Sequence, residues 1–233
     1  MTTPVEQIAE LFRITEASSL TPRYNIPPSQ QILAVRNRPG HEGREMVSLR
    51  WGLIPSWSRD AAIGDRLANA RAETAAEKPS FRQALRQRRC LIPADGFYEW
   101  KKSGGRKEPY YVRLRDGGLF AFAGLWERWR GDEADPLETC SILTTDANDL
   151  LRPIHDRMPV ILDPADYGPW LDPDLHNPEV VQALLRPFPA ERMVAYPVSR
   201  LVNDPGRDDR RCTEPEREAA GRPSPPGPER WLF

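Results

Sequence analysis

Between Arg89 and Gly124 the chain reads as four strand-like runs in quick succession: Arg89 to Ile92, Phe97 to Lys101, Pro109 to Arg115 and Gly118 to Gly124. The second and third are joined by SGGRK and the third and fourth by RDGG, Gly-rich turns of the kind that connect antiparallel neighbours. Spacings this short leave no room for the helix that a parallel crossover needs. These are meander-like spacings. Gln31 to Arg36 and Glu45 to Trp51 flank the polar turn Asn37 to Arg44 as a hairpin, and Leu137 to Thr144, Pro159 to Leu162 and Met193 to Val198 read as further strands. Helical readings are short: Pro79 to Gln87, Asp146 to Leu151, Pro164 to Leu171 and Asn177 to Leu185. A first helix is signalled by Thr3 as N-cap, Pro4 at the first helical position and Glu6 completing a capping box, with Val5, Ile8, Leu11 and Phe12 on one face. The expected class is α+β, mostly antiparallel β, a curved sheet or barrel-like domain with flanking short helices.

A length of 233 residues suits one domain, and residues 1–202 are assigned to it. Residues 203–233 hold six prolines and thirteen charged residues, which predicts a largely disordered tail. No run approaches the ~18 apolar residues of a membrane span, and the first twenty residues lack the basic start and apolar run of a signal peptide. A cytoplasmic protein without membrane contact is expected. Cys90, Cys140 and Cys212 have neither disulfide nor zinc spacing and read as reduced thiols, so neither metal nor cofactor is expected.

The net charge of −1 speaks against a strongly basic nucleic-acid binder, but the distribution is uneven. Nine basic residues (Lys78, Arg82, Arg86, Arg88, Arg89, Lys101, Lys102, Arg106, Lys107) stand against Asp95 and Glu99 between 78 and 107, whereas residues 131–180 carry twelve acidic residues and two arginines. Such asymmetry can give a neutral protein a surface that attracts a polyanion; a solvated basic hairpin and helix is the alternative.

Four polar clusters fall in loops or at strand ends: Arg23 to Pro28, Asn69 to Thr74, Asp95 to Trp100 and His155 to Pro159. Glu99 lies inside an aromatic run, where partial burial would raise its pKa toward the range useful for acid–base work. Asn69 and Arg71 share one side of an extended segment and could offer an amide and a guanidinium to a phosphate or sugar oxygen. Trp51, Trp57 and Trp100 could stack on bases, although tryptophans in strand-rich proteins are more often core. On the residues alone, a carboxylate hydrolase pairing Glu99 with Asp95 or Glu73 stays open.

In order and spacing, RYNIPPSQ, WGLIPSW, NARAET, CLIPADGFYEWK, the TT-x-AN of Thr144 to Asn148, HDRMPVIL and PVSRLVND resemble the SOS response-associated peptidase (SRAP) family, also described as abasic-site processing proteins, over about Thr3 to Pro215. The resemblance implies a barrel-like α+β domain, expected to be monomeric, with a positive channel for single-stranded DNA containing abasic sites. It implies covalent capture of the abasic site as a thiazolidine, and self-processing that removes the residue before the nucleophile. By position it assigns acid–base work to Glu99, the active-site histidine to His155 and an orienting amide to Asn69. DNA contacts fall to Arg71 and Arg157, to Asn25 with Pro28 in the loop at the lesion, to Trp57 and Trp100 as stacking surfaces and to Thr144 in the site wall. The family's nucleophile is a cysteine directly after the initiator Met. Here the sequence reads Met1-Thr2-Thr3 with no cysteine before Cys90. A start assigned too far downstream is the favoured reading; retained non-covalent binding of single strands is the other.

Overall fold

The computed structural model describes residues 1–16, 19–38, 40, 42–131 and 136–216. Helix α1 (Val5–Phe12) is followed by strands β1 (Gln31–Asn37), β2 (Arg44–Trp51) and β3 (Asn69–Arg71), then helices α2 (Ala72–Ala75) and α3 (Arg82–Gln87). Strands β4 (Arg89–Ala94), β5 (Phe97–Ser103), β6 (Arg106–Leu114), β7 (Phe120–Trp129), β8 (Leu137–Asp146), β9 (Arg157–Pro159) and β10 (Ile161–Leu162) precede helices α4 (Tyr167–Leu171) and α5 (Pro178–Leu184) and strand β11 (Met193–Pro197).

Five strands close on themselves. β1 pairs with β2 and with β4, β4 with β7, β7 with β8, and β8 in parallel with β2, so the expected barrel-like α+β fold is the one observed. Strand alternation sorts the side chains: Ile32, Ala34, Leu49, Cys90, Ile92, Phe122, Cys140 and Ile142 fill the interior. Val35, Leu91, Leu125 and Leu143 point outward against α1, α4 and α5, where Ile8, Phe12, Trp170 and Val181 cover them. The interior is tight. A Cβ on Gly124 would lie 2.8 Å from the Cys90 sulfur, so that position requires glycine. At one end, here the foot, Arg36 plugs the interior, donating to Glu45 at 2.8 Å and to Glu138 at 3.1 Å with its guanidinium 4.1 Å from the Trp126 ring centre. At the other end, the mouth, β4 and β8 finish and β7 begins.

Beyond the mouth β5, β6 and β11 form a separate antiparallel sheet. Phe97, Val112 and Met193 on one face join the barrel interior, whereas Tyr98, Trp100, Tyr111 and Tyr196 on the other meet Val198, Val202 and Cys212. That second contact moves the expected boundary at 202. Residues 203–216 belong to the folded unit: Cys212 is fully buried, and Val198 bridges to Pro215. The remainder of the expected tail, 217–233, lies outside the described residues.

Three local readings change. The capping box does not form; Pro4 flanks α1, no side chain caps it, and Thr2 instead gives its N–H and hydroxyl to Asp95, at 2.5 and 2.8 Å. Asp146 ends a strand rather than starting a helix, because Asn148 closes a turn onto the Leu151 N–H at 3.0 Å and ties it to the Phe188 carbonyl at 2.7 Å. The four middle runs do not form one meander: β5 pairs with β6 in the separate sheet, whereas β4 pairs with β7 in the barrel. The basic cluster also divides. Arg89 is buried with its guanidinium on the Trp170 carbonyl at 2.6 Å, and Arg88 pairs with Glu127 at 2.7 Å. Lys78, Arg82 and Arg86 are exposed beside the foot; Lys102, Arg106 and Lys107 are exposed on the β5–β6 hairpin. The six residues of β4 separate the two groups by about 20 Å.

The C-terminal segment is held by a clasp. Asn25 gives its amide to the carbonyls of Val202, Asp204 and Arg207, while the Asp208 carboxylate accepts the N–H groups of Tyr24 and Asn25 and the Arg23 side chain. Partial burial opposes ionisation of Asp208, but these donors prevail and hold its pKa below the ordinary carboxylate value. A carboxyl depressed in the folded state stabilises above its unfolded pKa of about 3.9, and the benefit is lost as pH falls through the folded value. Asp208→Ala should therefore cost about 1–3 kcal/mol at neutral pH, with the difference from wild type closing in strong acid. Urea unfolding of both proteins at the two pH values checks this; equal midpoints at neutral pH would contradict the clasp.

Candidate active site at the barrel mouth

Glu99 reaches the mouth because Phe97, two residues earlier on the same face of β5, is anchored in the interior with its ring edge-on to Phe122 at 5.7 Å. The turn that starts β5 depends on Gly96, where a Cβ would fall 2.2 Å from the Tyr111 ring. Glu99 is half-buried, and burial raises its pKa, as its place in the aromatic run predicts. The nearby His155 imidazole acts in the opposite sense and Asp156 in the same sense as burial. Glu99 and His155, 56 residues apart in sequence, are thus brought within electrostatic reach.

His155 is exposed and fixed from behind. Its Nδ1 accepts the Arg157 backbone N–H at 3.1 Å and lies 3.3 Å from an Asp156 carboxylate oxygen. Nδ1 also lies 3.2 Å from the Arg157 carbonyl oxygen, so this edge of the ring donates or accepts according to its tautomer and is held in place either way.

Arg157 is the most constrained cation of the mouth. Its two terminal nitrogens meet Glu73 in a fork at 3.0 and 2.7 Å, and they also reach Asp146 at 2.6 Å and the Thr144 carbonyl at 2.7 Å. The guanidinium is therefore committed to protein oxygens, and a phosphate would have to share it. Glu73, in the first turn of α2, is the residue of this group that sequence reasoning weighed only as a hydrolase partner; its signal was the NARAET run itself, which places a carboxylate two residues after Arg71.

Asn69 and Arg71 are both exposed, with Ala70 buried between them, and both lie along β8 in register with Ile142 and Thr144. Thr144 is half-buried and gives its hydroxyl to the Ala70 carbonyl at 3.5 Å. Trp57 is 58% exposed, its loop held by the Trp129 indole N–H on the Ser58 carbonyl at 2.7 Å. Pro28 is exposed in a turn whose next residue, Ser29, is left-handed (φ 73°) and donates its backbone N–H to the Trp51 carbonyl at 2.7 Å. The Trp51 indole in turn donates to the Ala68 carbonyl, next to Asn69, at 2.8 Å.

Two residues assigned to DNA lie elsewhere. Asn25 is buried with its amide spent on the C-terminal clasp, so a nucleotide could engage it only by breaking three hydrogen bonds. Trp100 is on the face of β5 opposite Glu99, with its indole N–H on Asn203 at 2.7 Å. The hydrolase pairing loses both partner carboxylates. Burial notwithstanding, Asp95 is held below the ordinary carboxylate value by the Met1 amine 3.3 Å away and by the N–H and hydroxyl of Thr2, and the Thr2 donors remain in a chain that extends before Met1. Glu73 is likewise held down by Arg157 against its own desolvation, so neither is an acid near neutral pH.

The mouth of the closed barrel thus brings a carboxylate of raised pKa within electrostatic reach of a positioned imidazole, the pair of groups that proton transfer requires, and the exposed amide and guanidinium of β3 lie along β8. The chain belongs to the SOS response associated peptidase (SRAP) family, whose model matches residues 1–205. It is 48% identical over 204 residues to abasic site processing protein YoqW of Bacillus subtilis, covering 86% of this chain and 90% of the relative. It is 32% identical over 224 residues to abasic site processing protein HMCES of Gallus gallus, covering 83% of this chain and 66% of that protein. A crystal structure of a protein from Bacteroides thetaiotaomicron superposes with a TM-score of 0.70 at 32% identity, covering 93% of this chain and 91% of that one.

The opposed influences on Glu99 give a prediction with sign. Removing the imidazole in His155→Ala should move the Glu99 titration midpoint upward, and Asp156→Asn should move it downward. Because a raised folded pKa means that stability falls as pH climbs through it, Glu99→Gln should leave the protein as stable as wild type or more so at neutral pH. Carboxyl NMR titration and urea unfolding test these; midpoints that ignore both substitutions would remove Glu99 from the site.

Proposed function

We propose that the protein processes abasic sites in single-stranded DNA by covalent capture at the barrel mouth. The observation that carries this reading is the meeting of Glu99 with His155 beside Asn69 and Arg71. Family membership and relatives named for abasic site processing support the substrate. In this reading a primary amine attacks the aldehyde of the ring-opened sugar and water leaves as the Schiff base forms. A neighbouring thiol then adds to the imine carbon, its proton passing to nitrogen, and the thiazolidine closes. Glu99 and His155 move the protons, the carboxyl giving one to the departing water and the His155 imidazole steadying the oxygen that carries it. Asn69 orients the sugar and Arg71 holds a flanking phosphate; Trp57 provides a stacking face. Arg157 contributes by fixing His155 as well as through its charge. The same site would release the residue preceding the nucleophile.

The thiol is not Cys90, Cys140 or Cys212. All three are buried, and burial pushes the Cys90 thiol up to about 12. We place the amine and thiol in a cysteine N-terminal to Met1 in a longer form of the chain. Without such a residue the mouth remains a non-covalent binder of single strands, a reading favoured by the burial of every cysteine in this sequence.

In the extended form Glu99→Gln should slow adduct formation ~10²-fold or more while DNA affinity stays nearly unchanged. Arg71→Ala should weaken binding to all sequences alike and flatten the log–log salt slope by about 0.7. Single-turnover adduct formation across pH, with binding titrations at several salt concentrations, decides the matter. A Glu99→Gln protein that matches wild type in rate and pH profile would make Glu99 a structural residue.

A further inference from the structure

The foot of the barrel holds a cavity of about 900 Å³, lined by Arg38, Glu42 and Arg44 of the β1–β2 hairpin, Arg88 and Arg89 where α3 meets β4, and Trp126 of β7. Four guanidinium groups therefore face one carboxylate. Arg38 is balanced by Glu16 at 3.3 Å and Glu45 at 3.9 Å, and Arg88 by Glu127 at 2.7 Å. Arg44 and Arg89 have no carboxylate within ion-pair distance among the described residues. Arg89 is occupied with main-chain carbonyls of Leu85, Trp170, Asp172 and Leu175. Arg44 spends a single donor on the Phe12 carbonyl at 3.1 Å, and burial together with the neighbouring Arg13 lowers its pKa, the signature of a cation short of negative charge. Arg88 Nε is buried without a hydrogen-bond partner among the described residues, and such a donor costs free energy until something accepts from it. Arg82 and Arg86 on α3 and Arg128 on β7 are exposed at the same end and add to its positive potential. Trp126 is half-buried with one ring face under Arg36, which leaves it as an apolar wall.

We infer that this cavity is a second binding site for a phosphate-bearing ring compound, a nucleotide either free or at the end of a strand, with Arg44 and Arg88 receiving the phosphate and Trp126 the ring. Its size is that of a small-molecule site. The site is independent of the chemistry at the mouth, since the length of the barrel lies between them.

The test is a titration of the full chain followed by ¹H–¹⁵N NMR, with AMP, adenosine, inorganic phosphate and a short unmodified oligonucleotide with and without a 5′-phosphate. AMP should shift the amides of Gly43 and Arg44 and the Trp126 indole N–H saturably, with a dissociation constant below about 1 mM. Adenosine should bind at least tenfold more weakly, and inorganic phosphate should compete with AMP. Arg44→Gln should weaken AMP tenfold or more without moving the resonances of Asn69 and His155; Arg38→Gln, at a partly exposed position, repeats the test should Arg44→Gln fail to fold. If the 5′-phosphorylated strand binds more tightly than AMP the occupant is a strand end, and otherwise it is a free nucleotide; either supports the site. Shifts confined to the mouth, unsaturable shifts, or affinities unchanged in both folded variants would overturn it.

Discussion

Closure of five strands through the β7–β8 ladder is the constraint on which the rest depends. Eight strands give an interior just wide enough for side chains, and five give less. The interior at Gly124 is filled by Cys90 and Ile92, each 2.8 Å from where a Cβ would stand, so not even a methyl group fits there. Chemistry is thereby displaced to the two ends, where strands stop and loops can carry polar groups without burying them unpaired. One end became a carboxylate–imidazole site and the other an arginine-lined recess.

The two ends treat charge differently. At the mouth Arg157 is overdetermined: Glu73, Asp146 and the Thr144 carbonyl fix its position, and the backbone N–H of the same residue fixes the neighbouring imidazole. Two carboxylates on one arginine leave that corner of the mouth negative, and Arg71, which makes no ion pair among the described residues, stands near Glu73 as a counter-charge. At the foot the balance is reversed, with guanidinium groups outnumbering carboxylates.

Much of this was legible in the sequence. Apolar runs bounded by turn residues located the strands of the barrel and of the smaller sheet, although β7 runs five residues past the expected end at Gly124; β4 and the first part of β7 are buried throughout, so a short apolar run between turns, and not alternation, is their signal. The pairing of Glu99 with His155 was not available from spacing; it came from the family resemblance, and the fold brings the two together. Local signals failed where a distant partner outbid them. Thr3 looked like a cap, but Asp95, over 90 residues away, claims Thr2 and draws the chain aside. Asn25 and Trp100 looked like ligands because they sit in polar, aromatic motifs, yet their partners are residues 202–207, in a segment whose composition reads as disorder. Composition reports what a segment can bury by itself, and this one buries little except against Tyr98, Tyr111 and Tyr196.

The clasp between Asn25 and Asp208 spans over 180 positions, and this has a consequence for the order in which the molecule can be made. During synthesis the helix, the barrel strands and the β5–β6 hairpin all emerge before the residues that cover the aromatic face of the smaller sheet. Until position 212 has left the ribosome, that face is an open patch of tyrosine and tryptophan on the sheet that holds Glu99. The nascent barrel can close early, but the sheet that carries Glu99 is covered only once residues 198–212 have emerged, so the end of the barrel that holds this carboxylate is the last part to be fixed in place.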